Sequence, residues 1–141
     1  MILYLDTSAL VKVYVEEAGS AGVREKADQA EGLATSRIAY AEARAALARK
    51  LRERGLSRAG YRSVVDDLNG DWEDYFIVDV SDSVVKFAGD LAGKHALRGA
   101  DAIHLASALR LRRQAGESVR FLCFDGRLTT AAHKERLRIL R

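Results

Sequence analysis

Proline is absent from all 141 residues, a feature for which the sequence offers no physical reason, and cysteine occurs once, at Cys123. A single cysteine excludes a disulfide framework and a cysteine-based zinc site. No stretch approaches the roughly 18 uninterrupted apolar residues of a membrane span. The N-terminus also lacks the basic segment, apolar core and cleavage site of a secretory leader. A soluble cytoplasmic protein with no membrane partner is therefore expected. The three histidines, His95, His104 and His133, do not pair at helical ligand spacing, which argues against a histidine-pair ribonuclease mechanism. The net charge of +3 is too small to imply nucleic-acid binding by itself.

The composition, 48% hydrophobic and 30% charged, is that of an ordinary folded protein. The length suits one domain spanning residues 1–141 with a core of its own. Charge is unevenly placed. Arg44 to Arg62 carries a net +6, Val64 to Asp82 a net −7, and Arg110 to Arg141 a net +6. Such blocks are usually solvated helix faces, although two basic blocks flanking a polyanion site would look the same.

Short apolar runs alternate with long helical patterns, with no internal repeat, linker or low-complexity segment. Strands are expected at 2–5, 33–35, 75–80, 120–124 and 137–140, where aromatic and branched residues concentrate. Helices are expected near 7–17, 20–31, 36–54, 57–72, 82–96, 100–115 and 126–135. In the third, Tyr40, Ala43, Leu47 and Leu51 form one apolar stripe, and Thr35 or Ser36 can cap its start. Strands separated by helices require crossover connections. The expected fold is a three-layer α/β/α sandwich around a mostly parallel, five-stranded sheet.

In a parallel sheet the C-terminal ends of the strands share one edge, where ligands bind. Asp6 follows the first strand in "ILYLDTSAL" and Asp125 follows the fourth in "FLCFDGRL". Each alone reads as a helix N-cap. Glu42 lies between Ala39 and Ala46 on helical spacing, and Asp101 lies in the first turn of the sixth helix, where the dipole favours an acid. Four converging carboxylates repel one another unless a cation compensates. Hard divalent ions with oxygen ligands are the usual compensation, and their chemistry on phosphates is activation of water for in-line displacement.

The segments "YLDTSALVKVYVEEAGS", "SRIAYAEARAAL", "LRGADAIHLASAL" and "FLCFDGRLTTAA" resemble, in order, the four acidic motifs of PIN-domain ribonucleases, most closely the VapC-type toxins. The resemblance covers essentially the whole chain. It implies a PIN-like fold and a Mg²⁺-dependent endoribonuclease, with Mn²⁺ as a substitute ion. It also implies a homodimer and a cognate antitoxin that covers the cleft. Carried over, Asp6, Glu42, Asp101 and Asp125 form the acidic quartet. Asp6 and Asp101 are the foremost metal ligands, Glu42 binds directly or through water, and Asp125 completes a second site or orients the attacking water. Thr7 or Ser8 would hydrogen-bond Asp6 or a metal-bound water. Many PIN domains carry a further acid shortly after the fourth. Here Thr129 and Thr130 stand there, which leaves open whether one ion or two are bound.

His104, three residues after Asp101, can orient that carboxylate or simply pack in the core. Arg98 can meet substrate phosphate, balance the acids or form a surface ion pair. Trp72, Tyr61 and Tyr75 read as core or partner contacts. Three other functions remain open. A phosphatase would use Asp6 as nucleophile, although Ser8 stands where haloacid-dehalogenase-like enzymes need a second Asp. A PIN nuclease need not be a toxin. A catalytically silent module would bind RNA or protein without cutting.

Overall fold

The computed structural model describes residues 1–140. Four strands, β1 (Ile2–Leu5), β2 (Gly32–Ser36), β3 (Phe76–Val78) and β4 (Val119–Leu122), form one sheet in the order β3-β2-β1-β4. Every pairing is parallel. Helices α1 (Thr7–Tyr14), α2 (Ser20–Gln29), α3 (Ala39–Arg52), α4 (Arg58–Trp72), α5 (Asp82–His95), α6 (Gly99–Ala115) and α7 (Gly126–Lys134) supply the connections and close the fold. Among the described residues no helix is long and apolar enough to cross a membrane.

Successive side chains of a strand point to opposite faces, and β1 shows the consequence. Tyr4, with Phe121 opposite it in register, lies in one apolar cluster with residues of α5, α6 and α7. Leu3 and Leu5, with Leu122 opposite Leu5, lie in the other with residues of α1, α2, α3 and α4. Both clusters are dry and the sheet is covered on both faces, as an all-parallel sheet requires. The α/β/α sandwich expected from the sequence is the fold observed.

The expected sheet of five strands is corrected to four. Residues 137–140 run extended, but only Ile139 pairs, through one parallel bridge to Phe121. Two backbone bonds make it, Phe121 N–H to Arg138 C=O at 2.8 Å and Leu140 N–H to Phe121 C=O at 2.9 Å. The alternation in "LRIL" has a different cause: Leu137 and Ile139 pack into the α5–α7 side, and Leu140 into the other. Burial on alternate sides demands an extended segment, not a ladder. The third expected strand is likewise shorter, at Phe76–Val78 on the sheet edge. There the half-exposed Phe76 covers Gly32, where a Cβ would come within 2.6 Å of the ring.

The start of α3 also departs from expectation. Thr35 Oγ1 donates to Leu5 C=O at 2.7 Å, tying β2 to the end of β1, while Ser36 Oγ accepts from Ile38 N–H. Neither caps the helix, whose N-cap is Ile38. At α1, α4, α5 and α7 the caps are side chains, Asp6, Ser57, Ser81 and Asp125.

The strand order places the site. From β1 the chain runs outward through β2 and β3, then returns across the sheet so that β4 lies on the other side of β1. The order reverses between β1 and β4, and at such a switch point the C-terminal ends of two strands part to open a crevice. Asp6 and Asp125 leave the sheet there, and Asp6 N–H still bonds Leu122 C=O across the gap at 3.2 Å.

Candidate active site

Asp6, Thr7, Ser8, Glu42, Arg98, Asp101, His104 and Asp125 all line one open cleft of about 280 Å³ at this switch point. Every candidate named from the sequence is in it. The ends of β1 and β4 supply Asp6 and Asp125, the first turn of α3 supplies Glu42, and the first turn of α6 supplies Asp101.

Each carboxylate is held by one of its two oxygens. Asp6 Oδ1 accepts from Ser8 Oγ at 2.7 Å and from Ala9 N–H at 3.0 Å. Glu42 Oε1 accepts from Thr7 Oγ1 at 2.6 Å and lies 2.9 Å from His104 Nε2. Asp101 Oδ2 accepts from Arg98 Nε at 3.2 Å, and Asp125 Oδ1 from Leu128 N–H at 2.8 Å. The four second oxygens have no donor among the described residues, and none is a sealed, unsatisfied atom. Capping and site formation therefore do not compete: Asp6 and Asp125 cap a helix with one oxygen and keep the other for the cleft.

The acids differ electrostatically. Asp6 is 4% exposed. Burial pushes its carboxyl above the ordinary Asp value, and the charge of Asp101 adds to the effect, against the Ala9 and Ser8 hydrogen bonds. Burial would also raise Glu42, but hydrogen bonds from His104 and Thr7, with the nearby charge of Arg98, hold it below the usual range.

His104 is 2% exposed, as the core-packing reading expects, but the carboxylate it meets is not the expected one. It reaches Glu42, not Asp101, and its Nε2 is also 2.9 Å from Thr7 Oγ1. Behind it Nδ1 lies 2.8 Å from the Tyr4 hydroxyl. Complete burial keeps that phenol protonated. Tyr4 can then donate to Nδ1, which leaves Nε2–H facing the Glu42 carboxylate. The two hydroxyls after Asp6 divide their work, since Ser8 holds Asp6 and Thr7 holds Glu42.

Two contributors escaped the sequence reading. Tyr4 read only as a strand residue, although a tyrosine inside an apolar run signals a buried hydroxyl that needs a partner. Phe124, which also lines the cleft, read as the last residue of a strand, and nothing in the sequence marks it as exposed.

The donor set tests the fit to a divalent ion. Four carboxylates, each with one oxygen free of internal donors, line one cleft, which is the hard-oxygen chemistry that Mg²⁺ takes. Among the described residues no three Asp, Glu, His or Cys side chains stand close enough together to ligate one ion. The arrangement fits an ion held directly by one or two carboxylates, with water and substrate phosphate in its remaining positions, the usual habit of Mg²⁺.

Fold and cleft together define the class: a three-layer α/β/α protein with an acid-lined crevice at the switch point of a parallel sheet. The PIN domain model matches residues 3–134, and the chain belongs to the PIN-domain family. It is 39% identical over 142 residues to ribonuclease VapC49 of Mycobacterium tuberculosis, an alignment covering 98% of this chain and 94% of that one. Among solved structures, FitAcB from Neisseria gonorrhoeae superposes with a TM-score of 0.68 at 18% identity, covering 100% of this chain and 97% of that one. A toxin-antitoxin complex from Klebsiella pneumoniae superposes with a TM-score of 0.62 at 15% identity, covering 87% and 86%. At those identities the structural likeness speaks for the fold.

Proposed function

We propose that this protein is a metal-dependent endoribonuclease and the toxin of a toxin-antitoxin pair, acting in the cytoplasm as a single PIN domain. The observation that carries the reading is the shared habit of the four acids, each anchored through one oxygen, with the other free of internal donors, and all lining the same cleft. The similarity to VapC49 over nearly the full length of both chains supports RNA as substrate. The structural likeness to a protein in a toxin-antitoxin complex fits an antitoxin that covers the cleft, and the homodimer implied by the resemblance belongs to the same reading.

Asp6 and Asp101 would hold Mg²⁺ first, with Glu42 and Asp125 direct or through water. When bound, the ion supplies charge neutralisation at the scissile phosphate and lowers the pKa of a bound water. The chain's own groups do the rest. Ser8 and Ala9 N–H fix the Asp6 carboxylate. Thr7 and His104, backed by Tyr4, fix Glu42 in its ionised form. Arg98, 81% exposed in its side chain, pairs with Asp101 yet stands at the mouth, where its guanidinium can meet a phosphate in bidentate fashion. Asp125 orients the attacking water from the β4 side.

The test is cleavage of single-stranded RNA by purified protein. Cleavage is expected with Mg²⁺ or Mn²⁺, complete loss with a chelator and recovery on adding the ion back. Cleavage that persists in chelator overturns the metal mechanism. RNA retention without products in any ion would identify a silent binding module.

A further inference from the structure

Three large apolar side chains are substantially exposed: Phe76, Val85 and Phe124. Phe76 covers Gly32 at the sheet edge. Phe124, 48% exposed, packs against Gly19 in a similar way, but its position sets it apart. It stands between two hollows and lines both, the acidic cleft on one side and a second cavity of about 400 Å³ on the other. The second cavity is mainly apolar, walled by Val23, Leu122, Cys123 and Leu140, with Lys26 and Thr129 as polar groups. Its volume lies in the range of small-molecule sites.

The ring is fixed rather than loose. Gly19, with φ +90°, comes so close that a Cβ there would lie 3.1 Å from Phe124 Cε1. The Lys12 ammonium sits 4.7 Å from the ring centroid, within cation–π range. Lys12 is held in turn by Glu17 at 3.0 Å, and Glu17 by Lys50 at 2.9 Å. An aromatic ring is thus braced by an ion-paired cation and a close glycine, with half its surface open beside the acids.

A ligand that suits this place has an anionic phosphate for the cleft and a flat aromatic group within one bond chain of it. Unpaired bases of single-stranded RNA have that form, and proteins hold them by stacking on aromatic side chains. We infer that Phe124 is the stacking platform for the nucleobase next to the scissile phosphate, and that the apolar cavity behind it receives that base, with the Lys26 ammonium and Thr129 hydroxyl near its edge. The inference rests on the ribonuclease reading and adds a substrate-binding residue to it.

The experiment uses the full chain with Ca²⁺, which occupies oxygen sites at longer distances than Mg²⁺, and short single-stranded RNAs carrying one 2-aminopurine, shown on a gel to stay intact. Binding to the wild-type protein should quench the 2-aminopurine emission. Phe124→Ala should raise Kd about 5- to 150-fold and abolish the quenching. Phe124→Leu keeps apolar bulk and should behave like the alanine variant, whereas Phe124→Trp should restore both affinity and quenching. A thermal melt establishes that each variant is folded. If wild type binds RNA but Phe124→Ala binds with the same Kd and quenching, the inference is overturned while the nuclease reading stands, and the exposed ring becomes a contact for a protein partner. If wild type neither binds nor cuts RNA, both fall.

Discussion

At the first strand-to-helix junction, β1 ends on Leu5 and Asp6 follows at once. At the last, β4 ends on Leu122, and Cys123 and Phe124 intervene before Asp125. Both aspartates cap the next helix through Oδ1 to the N–H three residues on, Ala9 in one case and Leu128 in the other. The two-residue difference decides the rest. Asp6 stays buried against the sheet, where desolvation weakens its acidity. Asp125 is lifted out to partial exposure, and the intervening pair splits, with the Cys123 thiol turned inward and the Phe124 ring outward. Burial pushes that thiol up to about 11, so it is a poor nucleophile at neutral pH. One local grammar, strand then Asp then helix, thus yields a desolvated acid in one place and a half-solvated acid beside an aromatic ring in the other.

The largest effect that can break this comparison is on turnover. Asp6→Asn should cost about 10²–10³-fold in RNA cleavage, and Asp125→Asn clearly less, because the proposed mechanism gives the second acid the attacking water and gives Asp6 the ion. Initial rates at saturating Mg²⁺ measure both, and equal losses would mean that the two junctions serve one role. Next comes Gly19→Ala. It forces a side chain into a left-handed backbone and against the Phe124 ring, and should cost about 1–2 kcal/mol by chemical denaturation. The same change at Gly22, in the first turn of α2 and without a positive φ, should leave stability unchanged or raise it by up to about 1 kcal/mol.

The smallest effect is electrostatic and concerns the protein without added ion. A carboxyl whose folded-state pKa is raised holds its proton more tightly in the native state, so its burden on stability grows as pH rises above the unfolded value near 4. Asparagine caps as well as aspartate does. Asp6→Asn should therefore melt above wild type at pH 7, with the gap closing as pH falls toward 4. Asp125→Asn serves as the reference and should track wild type more closely. A gap at Asp6 that widened on acidification would show that burial does not dominate there.

The legible parts of this molecule are those that local chemistry decides. All seven expected helices are present, with ends within about three residues of those expected, and Gly116 ends α6 with a positive φ. The candidate residues were legible because an acid at a strand end or on a helix flank is an anomaly that one chain displays four times. What was not legible depends on partners far away in sequence. His104 could be paired with Asp101 by helical spacing, but only the packing of α3 against α1 shows that Glu42 and Thr7 meet beside it. "LRIL" carries a strand's alternation, and the sequence cannot tell that its two faces are met by burial without a ladder.

The same topology sets a schedule. Ile2 pairs with Val119, so the two strands that frame the cleft lie 117 residues apart. At about 5–20 residues per second, synthesis alone separates them by roughly 6 to 25 s. A ribosome-bound chain that has exposed Asp6, Glu42 and even Asp101 still lacks the wall that β4 and Asp125 provide. The cleft of a nascent chain is therefore complete only when the last strand of the sheet arrives.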